Sequence, residues 1–263
     1  MRFHNYFTRL LLLLVPLVLA ACGGGGGGGA PGISLTSPGS SVLHSSQTYC
    51  VIGDSFSSDP SKFSPTPWPV TFQQQTGNTV IDAAVGGFTF YDALMNPVIN
   101  GQTPVQYCIS QNPSVVLVML GINDTAPGSQ YAPLGTIESN AAAVYAKLKA
   151  GLPNAKIVYI LEQMYDLADY PNPHTMPNKA AVVWYTIFNQ PNQAPDPNAI
   201  INTWAQDVFT NLMALNEYIK TLGPTVITVN YWQIQQQTGI SPDGLHPLPA
   251  SSVMMESVIQ SQL

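Results

Sequence analysis

Five apolar runs of strand length punctuate the chain after residue 47: Thr48 to Ile52, Thr79 to Ala83, Val115 to Leu120, Lys156 to Leu161 and Thr225 to Asn230. They are rich in β-branched residues and show little polar alternation, which is the pattern of strands covered on both faces of a sheet. Helical periodicity fills the intervals. It is clearest from Thr136 to Ala150, where Ile137, Ala141, Val144, Tyr145 and Leu148 share one face and Gly151-Leu152-Pro153 supplies the stop. A second helical stretch, from about Ala199 to Leu222, ends at Gly223-Pro224. This alternation predicts an α/β fold, a three-layer α/β/α sandwich built on a parallel sheet. Ligands of such sheets bind beyond the C-terminal ends of the strands. Ser55, Gly87 and Asn123 each come shortly after one of the first three runs, so all three are expected at that edge.

A different pattern occupies the first 47 residues. Arg2 and Arg9 flank an apolar run from Leu10 to Leu19 that ends in Ala20-Ala21-Cys22. Residues 1–21 therefore read as a secretory signal, too short for a comfortable membrane span. Leu19-Ala20-Ala21-Cys22 also resembles a bacterial lipobox, which implies that Cys22 becomes a lipidated N-terminus. The other reading is ordinary cleavage with Cys22 as a spare thiol. Residues 22–47, rich in Gly, Ser and Pro, are expected to be a flexible tether to a folded domain at 48–263. Gly23 rather than aspartate after the cysteine resembles the enterobacterial sorting pattern, which implies an outer-membrane-anchored lipoprotein, periplasmic or at the cell surface; the other reading is a secreted protein.

Charge narrows the partners. The chain of 263 residues has eight basic residues; removing the two leader arginines leaves six lysines against 14 acidic residues, a formal charge of −8. No arginine remains to read phosphate with a bidentate fork, and no basic patch is available, which excludes nucleic acid as a partner. Charged residues are 8% of the chain, against a usual ~25%. Their place is taken by Gln, Asn, Ser and Thr, as suits an exported protein with neutral substrates. Neither metal-ligand spacing nor a nucleotide-binding glycine loop occurs in the domain, so no cofactor is expected.

The chemistry is concentrated in four short blocks: Gly53-Asp54-Ser55, Gly86-Gly87, Gly121-Ile122-Asn123-Asp124 and Asp243-Gly244-Leu245-His246. In order and in strand context they resemble the blocks of the SGNH (GDSL) hydrolases, a family of lipases, thioesterases, lysophospholipases and carbohydrate esterases. The resemblance implies a flavodoxin-like five-stranded parallel sheet of order 2-1-3-4-5. It also implies a serine carboxylic-ester hydrolase working through an acyl-enzyme on Ser55, with carbohydrate deacetylation or O-acyl transfer as alternatives on the same fold. Its substrate would be a small-molecule or lipid ester.

Roles follow block by block. Ser55 is the expected nucleophile, at the turn after the first strand. His246 is the expected base, in part because His44 lies in the tether and His174 in a Pro/Asn-rich loop. Asp243, three residues earlier, would orient its imidazole, unless it is a plain helix cap. Asp54 is adjacent to Ser55 and points away from it, so it is expected to brace the turn through backbone N–H groups. The oxyanion donors are expected to be the Ser55 and Gly87 N–H groups and the Asn123 side-chain amide, with Gly86 as the competing glycine. Asp124 is expected to support the loop that carries Asn123.

Two further features carry expectations. Cys50 opens the first strand and Cys108 precedes the third, so in an oxidising compartment they form either a disulfide at the N-terminal edge of the sheet or two buried thiols. A bridge would close a loop of about 60 residues, worth ~4 kcal/mol by loop entropy. Aromatics near the blocks (Phe56, Trp68, Phe88, Phe90, Tyr91) read either as an apolar acyl site or as core, and Trp68 also as a sugar platform. Residues Tyr165 to Asn198, with Trp184, Tyr185 and Phe188, read as a wall or lid, or as a surface excursion.

Overall fold

The computed structural model describes residues 46–58, 64–125, 132–163, 204–239 and 246–263, with backbone alone for 204–209. The leader, Cys22, most of the tether, the 165–198 stretch and Asp243 lie outside the described residues. Five strands form one parallel sheet: β1 (Thr48–Gly53), β2 (Thr79–Asp82), β3 (Val115–Met119), β4 (Lys156–Gln163) and β5 (Thr225–Asn230), in the order β2-β1-β3-β4-β5. This is the expected order. The chain runs from β1 out to β2 and returns to β3 on the other side of β1, which makes the C-terminal ends of β1 and β3 the switch point where a crevice opens.

The described helices are α1 (Ser55–Ser58), α2 (Trp68–Thr76), α3 (Phe90–Met95), α4 (Pro104–Gln111), α5 (Ile122–Thr125), α6 (Leu134–Gly151), α7 (Trp204–Thr221), α8 (Tyr231–Thr238) and α9 (Pro249–Gln262). Alternation along the central strands sends their side chains into two separate cores. Tyr49, Val51, Leu117, Met119, Val158 and Ile160 meet residues of α2, α8 and α9 on one face. Cys50, Ile52, Val116, Val118, Ile157 and Tyr159 meet residues of α3, α4 and α6 on the other. β1, β3 and β4 are buried on both faces as expected, whereas the edge strands β2 and β5 are only partly covered. Among the described residues no helix is long and apolar enough to cross a membrane.

Cys50 and Cys108 form a disulfide, with Cα atoms 5.7 Å apart. Its place differs from the expected sheet edge. Cys108 lies inside α4, and Cys50 is the third residue of β1, paired with Val116 and Ile81. The bridge therefore pins a helix to the sheet face within the core, and both cysteines are fully buried. Strand pairing places the Cys50 side chain on the face that α4 covers, which apolar content alone does not reveal.

Candidate active site

The nucleophile turn begins where β1 ends. The carbonyl of Asp54 accepts the N–H groups of Ser57 and Ser58 at 3.1 and 2.9 Å, starting the single turn of α1 directly at the strand's tip. So sharp a reversal requires Gly53. A Cβ there would stand 2.6 Å from the Ser57 hydroxyl oxygen, closer than two unbonded atoms can sit. Ser57 itself is fully buried and accepts the Trp68 indole N–H at 3.1 Å. Ser55, at the mouth of the turn, keeps slight exposure.

The second and third blocks are tied together by two adjacent side chains. The Asn123 amide donates to the Phe88 carbonyl at 3.2 Å and to Asp54 Oδ2 at 3.1 Å. Asp124 receives the Phe90 N–H at 3.1 Å. The N-terminus of α3 is set in turn by Thr89, whose hydroxyl accepts the Asp92 N–H while Asp92 accepts the Thr89 N–H. Asp124 thus fixes the segment after Gly86-Gly87 rather than only its own loop. Asp54 has a second task beside the expected one. Its Oδ1 takes the Phe56 N–H at 2.9 Å and braces the turn, while its Oδ2 holds Asn123.

The glycines stand beside the serine. A Cβ on Gly86 would lie 3.9 Å from the Ser55 Cβ, so this glycine stands near Ser55 with room between them. Gly87 follows at φ +79°, a left-handed conformation that glycine adopts without strain. His246 comes from the segment before α9. Its ring centroid lies 6.3 Å from that of Phe56, the residue next to Ser55, and its charge is felt by the Asp54 carboxyl. The structure gathers Ser55, Gly86-Gly87, Asn123 and His246 around the ends of β1, β2 and β3; Asp243 lies outside the described residues. Among those residues no group of His, Cys, Asp and Glu is arranged to hold a metal ion.

Acids surround this floor, and among the described residues no lysine forms an ion pair with them. Burial pushes the Asp54 carboxyl up to about 7, against the opposing pull of the Phe56 N–H, His246 and Asn123. Asp124 is pushed up to about 8, first by burial, with the Asp54 and Asp92 charges adding to the rise. Glu162, near the end of β4, is buried with neither carboxyl oxygen hydrogen-bonded, and burial together with the Asp54 charge holds it well above the usual range. Glu162 is the one group of this site that the sequence reading missed. The signal was an acid directly after the apolar run that ends at Leu161.

These acids determine how stability depends on pH. In the folded chain they keep protons that the unfolded chain releases above about pH 4, so the stability they lend at low pH is lost as the pH climbs through their folded values to about 8. Tm is therefore expected to be about 5–10 °C higher at pH 5 than at pH 8 in calorimetry. An equal or higher Tm at pH 8 would show that these carboxyls are ionised in the folded chain.

The aromatics divide on inspection. Trp68, Phe56 and Phe90 are buried core residues, and only Phe88 and Tyr91 reach solvent. Trp68 is thus no sugar platform: its ring is fully buried in the core on one face of the sheet, and its N–H is taken by Ser57.

Comparison with known proteins agrees with this layout. The profile of the GDSL-like Lipase/Acylhydrolase family matches residues 51–251. No curated protein matches the chain. Among solved structures, a lipolytic protein of the G-D-S-L family from Desulfitobacterium hafniense DCB-2 superposes with a TM-score of 0.55 at 13% identity, covering 82% of this chain and 99% of the other. An acylhydrolase from Bacteroides fragilis NCTC 9343 gives 0.54 at 17% identity, covering 83% and 86%. The acetyl xylan esterase AlAXEase gives 0.54 at 15%, covering 81% and 98%. At these identities the superpositions speak for the fold; the profile, spanning the first, second and third blocks and His246, speaks for the family. The chain belongs to the GDSL-like lipase/acylhydrolase family and is a hydrolase acting on ester bonds.

Proposed function

We propose that the chain hydrolyses carboxylic esters through an acyl-enzyme on Ser55. The Ser55 oxygen attacks the acyl carbon while His246 takes its proton, and the tetrahedral oxyanion is held by the N–H groups of Ser55 and Gly87 and by the Asn123 amide. His246 then protonates the departing alkoxide. Water activated by the same imidazole releases the acid and restores the serine. Asp243 orients the imidazole. The observation that carries this reading is the nearness of Gly86 to Ser55, 3.9 Å from the Ser55 Cβ to where a Gly86 Cβ would stand, because the peptide joining Gly86 to Gly87 bears the Gly87 N–H.

The substrate is a neutral ester with an apolar acyl group. With Trp68 in the core, the aromatic side chains left to meet it near the blocks are Phe88 and Tyr91. The enzyme acts outside the cytoplasm, attached to the outer membrane by a lipid on Cys22. A fluorophosphonate probe followed by peptide mass spectrometry is expected to label Ser55. p-Nitrophenyl acetate, butyrate and palmitate, assayed beside acetylated xylan, then place the acyl group. Rates that rise from acetate to butyrate support the apolar acyl site. Activity confined to acetyl esters makes the enzyme a deacetylase, and labelling of another residue refutes the mechanism.

A further inference from the structure

The Asn123 amide is fully engaged without substrate. Of its two hydrogens one goes to Asp54 Oδ2 at 3.1 Å and the other to the Phe88 carbonyl at 3.2 Å. An oxyanion can be received only if one of these partners lets go. The two partners differ in burial. Asp54 is fully buried, its other carboxylate oxygen is fixed by the Phe56 N–H, and it cannot swing. Phe88 is only half-buried and follows Gly86 and Gly87, two exposed glycines of which the second has a positive φ. The peptide that bears its carbonyl is held through the Thr89 N–H by Asp92, so the amide hydrogen leaves it by a small turn of Asn123 about Asp54 Oδ2.

We propose that Asp54 is the positioning residue for the Asn123 amide: Oδ2 keeps one hydrogen as a fixed pivot, and the other passes from the Phe88 carbonyl to the substrate oxyanion. This rests on Asn123 being an oxyanion donor. Each hydrogen stays on nitrogen throughout, so the exchange is one of acceptors only. Substrate therefore displaces a carbonyl from a donor that is already oriented, and the amide is not left to rotate freely between turnovers. A carboxylate whose only task was to brace the nucleophile turn would need the Phe56 contact and nothing more.

A double-mutant cycle separates the two tasks. Asp54→Asn retains an oxygen for the Phe56 N–H but sets an NH2 group against the Asn123 NH2 group. It is expected to lower kcat on the order of 10- to 100-fold, a part of what loss of an oxyanion donor costs, with KM changed less than about 2-fold. In an Asn123→Ala background the same substitution is expected to cost less than about 3-fold. Equal losses in both backgrounds, or wild-type kcat in Asp54→Asn, overturn the proposal while the oxyanion reading stands. Full activity in Asn123→Ala alone overturns that reading itself.

Should Asp54→Asn fail to fold, the native enzyme answers the question. In its 1H–15N spectrum, with the side-chain signal identified by its loss in Asn123→Ala, a boronic acid bound to Ser55 is expected to move one Asn123 Hδ2 resonance and leave the other in place. Two unmoved resonances, or two moved equally, overturn the exchange of partners.

Discussion

Ser55→Ala is expected to lower kcat for any ester substrate by on the order of 10⁴- to 10⁶-fold, leaving the residual rate that binding and oxyanion donors supply. The loss is that large because no neighbouring hydroxyl can substitute. Ser57 is fully buried with its oxygen bound to the Trp68 N–H, and Ser58 is the last residue of the single turn of α1. The substitution removes one oxygen from a slightly exposed helix start, so the fold should be unaffected. Steady-state kinetics beside Ser58→Ala provide the measurement. Ser58→Ala is expected to stay within a few-fold of wild type. If Ser58→Ala is the inactive variant, or if Ser55→Ala retains more than about 1% of activity, the nucleophile has been misassigned.

The second large effect is that of Asn123→Ala, an expected 10²- to 10³-fold fall in kcat with KM little changed, as for loss of a donor used in the transition state. Here the structure adds a cost in stability. Removing the amide strips Asp54 Oδ2 of its donor inside the protein, and the Phe88 carbonyl loses its partner as well. About 1–3 kcal/mol of destabilisation should follow. Chemical denaturation measures this term and kinetics the other, and the variant must remain folded at 25 °C for both to be read. A variant with unaltered kcat would remove Asn123 from the oxyanion hole, whatever its stability.

These expectations depend on contacts that the sequence showed unevenly. The strand runs and the Leu134–Gly151 helix were legible because burial on both faces of a parallel sheet demands continuous β-branched residues, and a helix stripe repeats every three to four. Ends were less legible. β4 continues two residues past its apolar run through Glu162 and Gln163, since pairing with β5 carries the strand on after the hydrophobic pattern stops. Ser55, Gly86-Gly87 and Asn123 could be placed at one edge because each follows a strand of the same sheet. Trp68 could not, since an aromatic beside a motif reads alike whether it lines a pocket or fills the core.

What the sequence by itself determined is the parallel sheet, its order through family resemblance, and the blocks proposed to carry the reaction, because hydrophobic period and motif spacing are local properties of the chain. Tertiary structure alone decided that the Cys50–Cys108 bridge pins α4 to the sheet face, that Trp68 is core, that Asp54 holds Asn123, and that Glu162 is buried without a partner. The reason is common to all four. Each depends on which side of a strand or turn a side chain emerges and on what another segment, tens of residues away, brings against it.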